Sequence, residues 1–333
     1  MTVASGALRG LRVWCAWGRW HRLAAVCLLG LVAGSAAAEP YKGPITLVVG
    51  YPAGGSADIG ARILAEKLPA LLGQPVIVEN RAGAGGQIAA RYVKAVSPNG
   101  SVLFFTNGHT VVTVPLVLKA PGFDTRADLQ PVSPFATFEL VLAAHAKTGA
   151  HNVKQLAAYF AANPRERNIA VPAPGSAPEF LVGRLAQLTG TDLQPIAYKG
   201  SGPAVQDLLG GQVAAAVVPV SDVLQYRASL QLLAVTRKTA LLPDVPSFAD
   251  AGMPELAASD FLAVYAPHGM AADEVARIHA AVQKVVAMPD VSRRMLSYAL
   301  QPQVGTPADL ERTFTASQGT VRSLMTAVNY KPQ

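Results

Sequence analysis

From Ile45 onward, short β-branched runs alternate with stretches in which apolar residues return every three or four positions. The run ITLVVG (45–50) is continuous, apolar and stopped by glycine, which predicts a strand buried on both faces. Ile59, Ile63, Leu64, Leu68 and Leu71 then fall at helical spacing, predicting a helix over 57–72 with Gly73 as its stop. A strand over 75–79, a helix over 87–96 and a strand over 102–106 continue the alternation. Strands follow over 138–144, 168–171, 193–197, 213–218, 230–236 and 261–266, with helices over 153–162, 176–188 and 203–209. The last stretch is helical over 273–287, 291–299 and 308–326. Strand and helix in alternation mean βαβ units, a mostly parallel sheet and an α/β fold. Roughly ten strands exceed what one compact sheet usually holds, so two sheets are expected. No linker separates them, and the segments 138–144 and 261–266 are the expected crossings.

The residues ahead of this pattern have a different character. Arg9, Arg12, Arg19 and Arg22 precede an apolar run over 23–34, and Ala36, Ala37 and Ala38 stand before Glu39. A basic start, an apolar run of about a dozen residues and small residues at the cleavage positions predict a secretory signal peptide over 1–38. The run is too short to span a bilayer, which takes about 20 residues. Cys15 and Cys27, the only cysteines, fall in this segment, so the mature chain is expected to carry no thiol chemistry. The formal charge of +7 shrinks as well: without the four arginines, 24 basic residues face 21 acidic ones, a net of +3. The remaining basic residues are scattered, without the clustered patch of a nucleic-acid binder. A periplasmic protein in monomeric form is the expectation, with no metal and no cofactor.

Candidate chemistry lies in the turns that follow the first three strands. Tyr51, Pro52, Ala53, Gly54, Gly55, Ser56, Ala57 and Asp58 join the first strand to the first helix, with Ser56 as the expected N-cap and Asp58 in the first turn. RAGAGG (81–86) repeats the device, and Asn107, Gly108 and His109 follow the third strand. Backbone amides at such helix starts point into the crevice beyond a parallel sheet and suit an anion. Arg81 is the one arginine in these turns, so ligand binding without an arginine clamp is expected. Enzyme motifs fail: Gly83 and Gly85 are followed by Ile88 where a dinucleotide fingerprint needs glycine, and neither a P-loop nor a GxSxG elbow occurs. His109, His145, His151, His268 and His279 show no helix-borne ligand spacing, and Lys199 reads as a solvated turn residue.

LGQPVIVENR (72–81), GAGG (83–86), YKGS (198–201), DLLGGQV (207–213), LAVT (233–236), LPDVP (242–246) and Ala251-Gly252 occur in this order. With them the chain resembles the Bug family of periplasmic binding proteins, the receptors of tripartite tricarboxylate transporters, from about Tyr41 to the C-terminus. The resemblance implies a two-lobed, type II-like Venus-flytrap fold with the ligand in the interlobe cleft. Lobe one would comprise 39–139 and 262–333, and lobe two 140–261. It further implies a small organic carboxylate ligand and integral-membrane transporter subunits as partners. Carried over, Tyr51, Ala53, Gly54, Ser56 and Asp58 would form the first wall with Ala84, Gly85, Asn107 and His109 beside them. Gly175, Ser176, Tyr198 and Ser221 would face them from lobe two.

Lobe two departs from the family pattern. AVPAPGSAPE (170–179) brings prolines into a loop that is usually permissive, with Glu179 and Phe180 where histidine is common, and VAAAVVP (213–219) lacks the usual acid. These losses predict a ligand less polar than a tricarboxylate. Two further readings stay open at this point: a receptor that serves a sensor kinase, and a hydrolase or isomerase using Ser56 or Ser176 with His109.

Overall fold

The computed structural model describes residue 2 and residues 43–333, so the predicted signal segment, Thr2 apart, lies outside the described residues. One series of elements runs β1 (Ile45–Val49), α1 (Ser56–Leu72), β2 (Val76–Asn80), α2 (Gln87–Ala95), β3 (Val102–Asn107) and β4 (Leu129–Phe138). A second runs β5 (Leu140–His145), α3 (Val153–Ala162), β6 (Asn168–Val171), α4 (Ala177–Thr189), β7 (Gln194–Ala197), α5 (Ser201–Leu209), β8 (Ala215–Pro219) and β9 (Leu230–Val235). The chain closes with β10 (Asp260–Pro267), α6 (Ala272–Val286), α7 (Pro289–Ser297), β11 (Leu300–Pro302) and α8 (Pro307–Ala327). No helix among the described residues is long and apolar enough to cross a membrane.

Two sheets result, in a two-lobed α/β architecture. The first has the order β11-β4-β10-β3-β1-β2, the second β7-β6-β8-β5-β9. Both are mixed rather than mostly parallel. In the first sheet β10 runs antiparallel to β3 and β4, and in the second β5 runs antiparallel to β8 and β9. The reason is connectivity: β5 and β10 each follow a passage from the other sheet, so neither is reached through a parallel βαβ crossover.

Of the two expected crossing strands, neither crosses as a single strand. β4 ends at Phe138 in the first sheet and β5 starts at Leu140 in the second, with Glu139 between them. The segment 261–266 lies wholly in the first sheet, within β10, whose start at Asp260 precedes the expected boundary at 262. Glu139 is 9% exposed and joins the two passages. Its carboxylate accepts from Thr236 Oγ1 at 2.6 Å, just after β9, and from Ser259 Oγ at 2.8 Å, just before β10.

β1 and β3 are buried almost throughout and apolar but for Thr46, Thr106 and Asn107, with α1 and α2 both packed on them, as suits central strands. α1 lies tight against that sheet through Gly60, where a β-carbon would come within 2.8 Å of Phe105 Cζ and 3.0 Å of Phe135 Cε1. The Phe105 and Phe135 rings meet edge to face at 5.1 Å. α8 packs on β4, and beyond its end Tyr330 meets Phe180 of α4 at 4.9 Å while Gln187 Nε2 donates to Ala327 O. The C-terminus thus touches elements of both sheets.

Candidate functional site

β1, β2 and β3 run parallel, so the three turns that follow them meet on one sheet edge. There the first and third turns line one wall of a cavity of about 610 Å³, whose opposite wall comes from the starts of α4 and α5 and from the residues after β8. Tyr51, Ala53, Gly54, Ser56, Asn107 and His109 line it from the first sheet's side, and Ser176 and Ser221 from the second.

α1 begins one residue earlier than expected. Gly55 is its N-cap and Ser56 its first helical residue, so Ser56 does not cap. Ile59 donates to Gly55 O, whereas the amides of Gly55, Ser56 and Ala57 find no acceptor among the described residues. These orphan donors of a 17-residue helix open on the cavity. Asp58, although in the first turn, does not line it. Its Oδ2 accepts from Gly54 N at 2.9 Å and Arg62 Nε at 2.8 Å, and its Oδ1 accepts from Asn80 Nδ2 at 2.9 Å. Burial would raise this carboxyl, but those three donors outweigh it and hold it below the usual carboxylate range. Asp58 braces the turn rather than facing the cavity.

Tyr51 ties the three turns together. Its hydroxyl lies 2.9 Å from Asn107 Oδ1, 3.0 Å from Thr110 Oγ1 and 3.2 Å from Gly85 O. Burial pushes its phenol far above the ordinary value. Asn107 Oδ1 also takes the Thr110 amide, which leaves its Nδ2 without a protein acceptor among the described residues. Ala84 and Gly85 do not line the cavity. Ala84 is exposed, and Gly85 serves as a support whose carbonyl also accepts from Thr110 Oγ1 at 2.8 Å. Gly85 has φ +64, and a β-carbon there would stand 2.6 Å from His109 Nε2. Bare backbone at this position makes room for the imidazole.

His109 is 8% exposed, and neither ring nitrogen has a partner among the described residues. The serine pairing weighed above is therefore not made. Burial depresses its pKa from 6.5 to about 4, so the ring is neutral at pH 7. Its loop is held by an acid that the sequence did not reveal. Asp260 Oδ1 accepts from Gly108 N at 2.9 Å and Phe261 N at 2.7 Å, and the carboxylate also bonds the His109 amide. Burial raises this carboxyl to about 6 against those backbone donors. Asp260 lines the cavity.

The second wall differs more from expectation. Ser176 is the N-cap of α4, yet its hydroxyl makes no cap and donates to Ala173 O at 2.6 Å. Gly175 faces away: its amide donates to Glu179 Oε2 at 2.6 Å, and its bare side lies against Val117. Glu179 thus folds back on the loop, and Phe180 turns into the core against Tyr330. Tyr198 donates its hydroxyl to Asp207 Oδ2 at 2.7 Å outside the cavity; burial and that carboxylate raise its pKa to about 12. Ser221 Oγ donates to Asp222 Oδ1 at 2.8 Å. Asp222 itself lines the cavity, as do Lys199, Ser201, Pro203 and Tyr226. The strand β8 carries no acid, as read, but an acid appears three residues past its end. The pair Ser221-Asp222 at the start of a helical turn was the available signal.

Arg81 does not reach the cavity. Its guanidinium stacks on Tyr92 at 3.5 Å and pairs with Glu79 at 2.7 Å. Among the described residues no group of three or more histidine, cysteine, aspartate or glutamate residues could hold a metal ion.

The model of the tripartite tricarboxylate transporter family receptor matches residues 60–329. The chain belongs to this receptor family. Protein BugT of Bordetella pertussis is 34% identical to the receptor, over 86% of this chain and 90% of BugT. A UPF0065 protein of Bordetella bronchiseptica is 33% identical over 93% of each chain. Among solved structures, the periplasmic binding protein BugD superposes with a TM-score of 0.81 at 26% identity, covering 88% of this receptor and all of BugD. An R. palustris protein solved with adipate superposes with a TM-score of 0.83 at 27% identity, over 89% of the receptor and all of that chain. The fold is accordingly that of a periplasmic solute-binding protein.

Proposed function

We propose that this receptor captures a small carboxylate in the cleft, closes its lobes (39–139 with 262–333, and 140–261) around it, and delivers it to the integral-membrane subunits of a tripartite transporter. The observation that carries this reading is the start of α1. The amides of Gly55, Ser56 and Ala57 open unpaired on the cavity beside His109, whose two ring nitrogens are also unpaired. A helix N-terminus carries about half a positive charge and free N–H donors, enough to hold one carboxylate without an arginine. Arg62 and Arg81, the arginines nearest the turns, are engaged with Asp58 and with Glu79 and Tyr92, which supports that picture. The adipate carried by a 27% identical relative supports the ligand class. Proline and alanine on the second wall suit an apolar ligand body. The protein acts in the periplasm as a monomer after losing residues 1–38, and it binds without turning over its ligand.

Native mass spectrometry of receptor purified from the periplasm tests the ligand class: the expected spectrum shows a retained small acid and a mature chain beginning at Glu39. A retained neutral sugar or a cationic species lacking a carboxylate would overturn the reading. Small-angle scattering with and without that acid reads closure. A radius of gyration unchanged by a tightly bound acid would argue for a rigid pocket.

A further inference from the structure

The two walls of the cleft differ in electrostatic character. On the α1 side the acid of the first turn, Asp58, is neutralised by Arg62, and the helix amides beside it stay open. On the opposite side an acid of the chain itself stands at each helix start. Glu179 takes the Gly175 amide ahead of α4. Asp222 stands at the start of α5, bonded by the hydroxyls of Ser201 and Ser221. Neither acid has a lysine or arginine within ion-pairing distance among the described residues. Asp222 lines the cavity, and its oxygens take only hydroxyls, which can rotate to make room for a further donor. Asp260, the other cavity acid without a cation, spends its acceptor capacity on backbone amides. Among the described residues Lys199 is the one lysine or arginine lining the cavity, and it is exposed and has no ion-pair partner there. Elsewhere the lining is largely apolar, with Phe138, Leu140, Pro172 and Pro219.

Resting on the carboxylate reading above, we propose that the ligand is a zwitterion, with its carboxylate on the α1 amides and a protonated nitrogen, separated by an apolar body, on Asp222. A second carboxylate at that end would meet the like charge of Asp222, which no lysine or arginine pairs, whereas an ammonium completes its acceptor set. Burial pushes the Asp222 carboxyl above its usual range against the pull of Ser201 and Ser221, the state that an arriving cation reverses. The unpaired and nine-tenths buried imidazole of His109 in the same cavity marks the place as one built for a ligand.

Calorimetric titration of the mature receptor with three matched series tests this: ω-amino acids, dicarboxylates and simple alkanoates of two to eight carbons. The best ω-amino acid is expected to bind at least tenfold more tightly than the dicarboxylate and the alkanoate of the same length. Asp222→Asn should bring it to within threefold of the alkanoate of the same length. A dicarboxylate that binds the wild type as tightly as its amino counterpart overturns the proposal and leaves the carboxylate reading standing. So does a preference that survives Asp222→Asn. The wild-type comparison needs no variant, so a poorly folded variant cannot obscure it. Alkylamines binding as tightly as the amino acids, or no binding by any series, would overturn the carboxylate reading together with the zwitterion.

Discussion

His109 and Asp260 sit side by side in the cleft with opposite responses to acid, and separating them gives a quantitative test of their burial. His109 falls from 6.5 in the unfolded chain to about 4. A depressed base contributes stability that is present above pH 6.5 and lost as pH falls through 4. At about 1.4 kcal/mol per unit, that loss amounts to about 3 kcal/mol. Asp260 rises from 3.8 to about 6, so its contribution is present below pH 3.8 and lost as pH rises through 6, again about 3 kcal/mol. The two windows overlap between pH 6 and 4, and in the wild type they offset one another. His109→Gln should therefore gain about 3 kcal/mol over the wild type as pH drops from 7 to 4, and Asp260→Asn should lose about as much. The double variant should track the wild type. Other carboxylates titrate equally in all four proteins, so only differences between curves are read. Urea unfolding at four pH values supplies them. The signal must be far-UV circular dichroism, because Trp14, Trp17 and Trp20 all precede the predicted cleavage site. A flat difference between His109→Gln and wild type from pH 7 to 4 would refute a buried neutral imidazole.

Three further outcomes are expected. Tyr51→Phe removes the hydroxyl shared by Gly85 O, Asn107 Oδ1 and Thr110 Oγ1, and should cost about 1–3 kcal/mol with weaker ligand binding, read by denaturation and calorimetry. Gly85→Ala places a methyl at φ +64 against His109 and should cost about 1–3 kcal/mol; an unaltered ligand affinity would show that the imbalance stays local. Glu139→Ala leaves the hydroxyls of Thr236 and Ser259 without their acceptor and should destabilise by about 2–3 kcal/mol, detected as a lowered midpoint in urea.

Much of the fold was legible because the apolar periodicity is strong where elements are buried. The helix over 153–162 and the strand over 168–171 fall where the pattern puts them. β4 was missed beyond its last residue because Pro131, Ser133 and Pro134 interrupt its alternation, and its pairing tolerates them only through register shifts against β10. In the site, the glycine turns were readable from their place after successive strands. Asp58 was misread as facing the crevice, although Arg62 one turn later announced its partner. Asp260 was beyond reach, since only tertiary pairing brings it to Gly108 across 152 residues.

The position of β10 has a consequence for the order in which the molecule can assemble. It is the strand between β3 and β4, so the first sheet has a gap at its centre until residues 260–267 exist. The second sheet needs nothing beyond Val235. As the chain emerges from its N-terminus, the lobe that begins first must finish last, and the inserted lobe is the one able to fold while its host still waits.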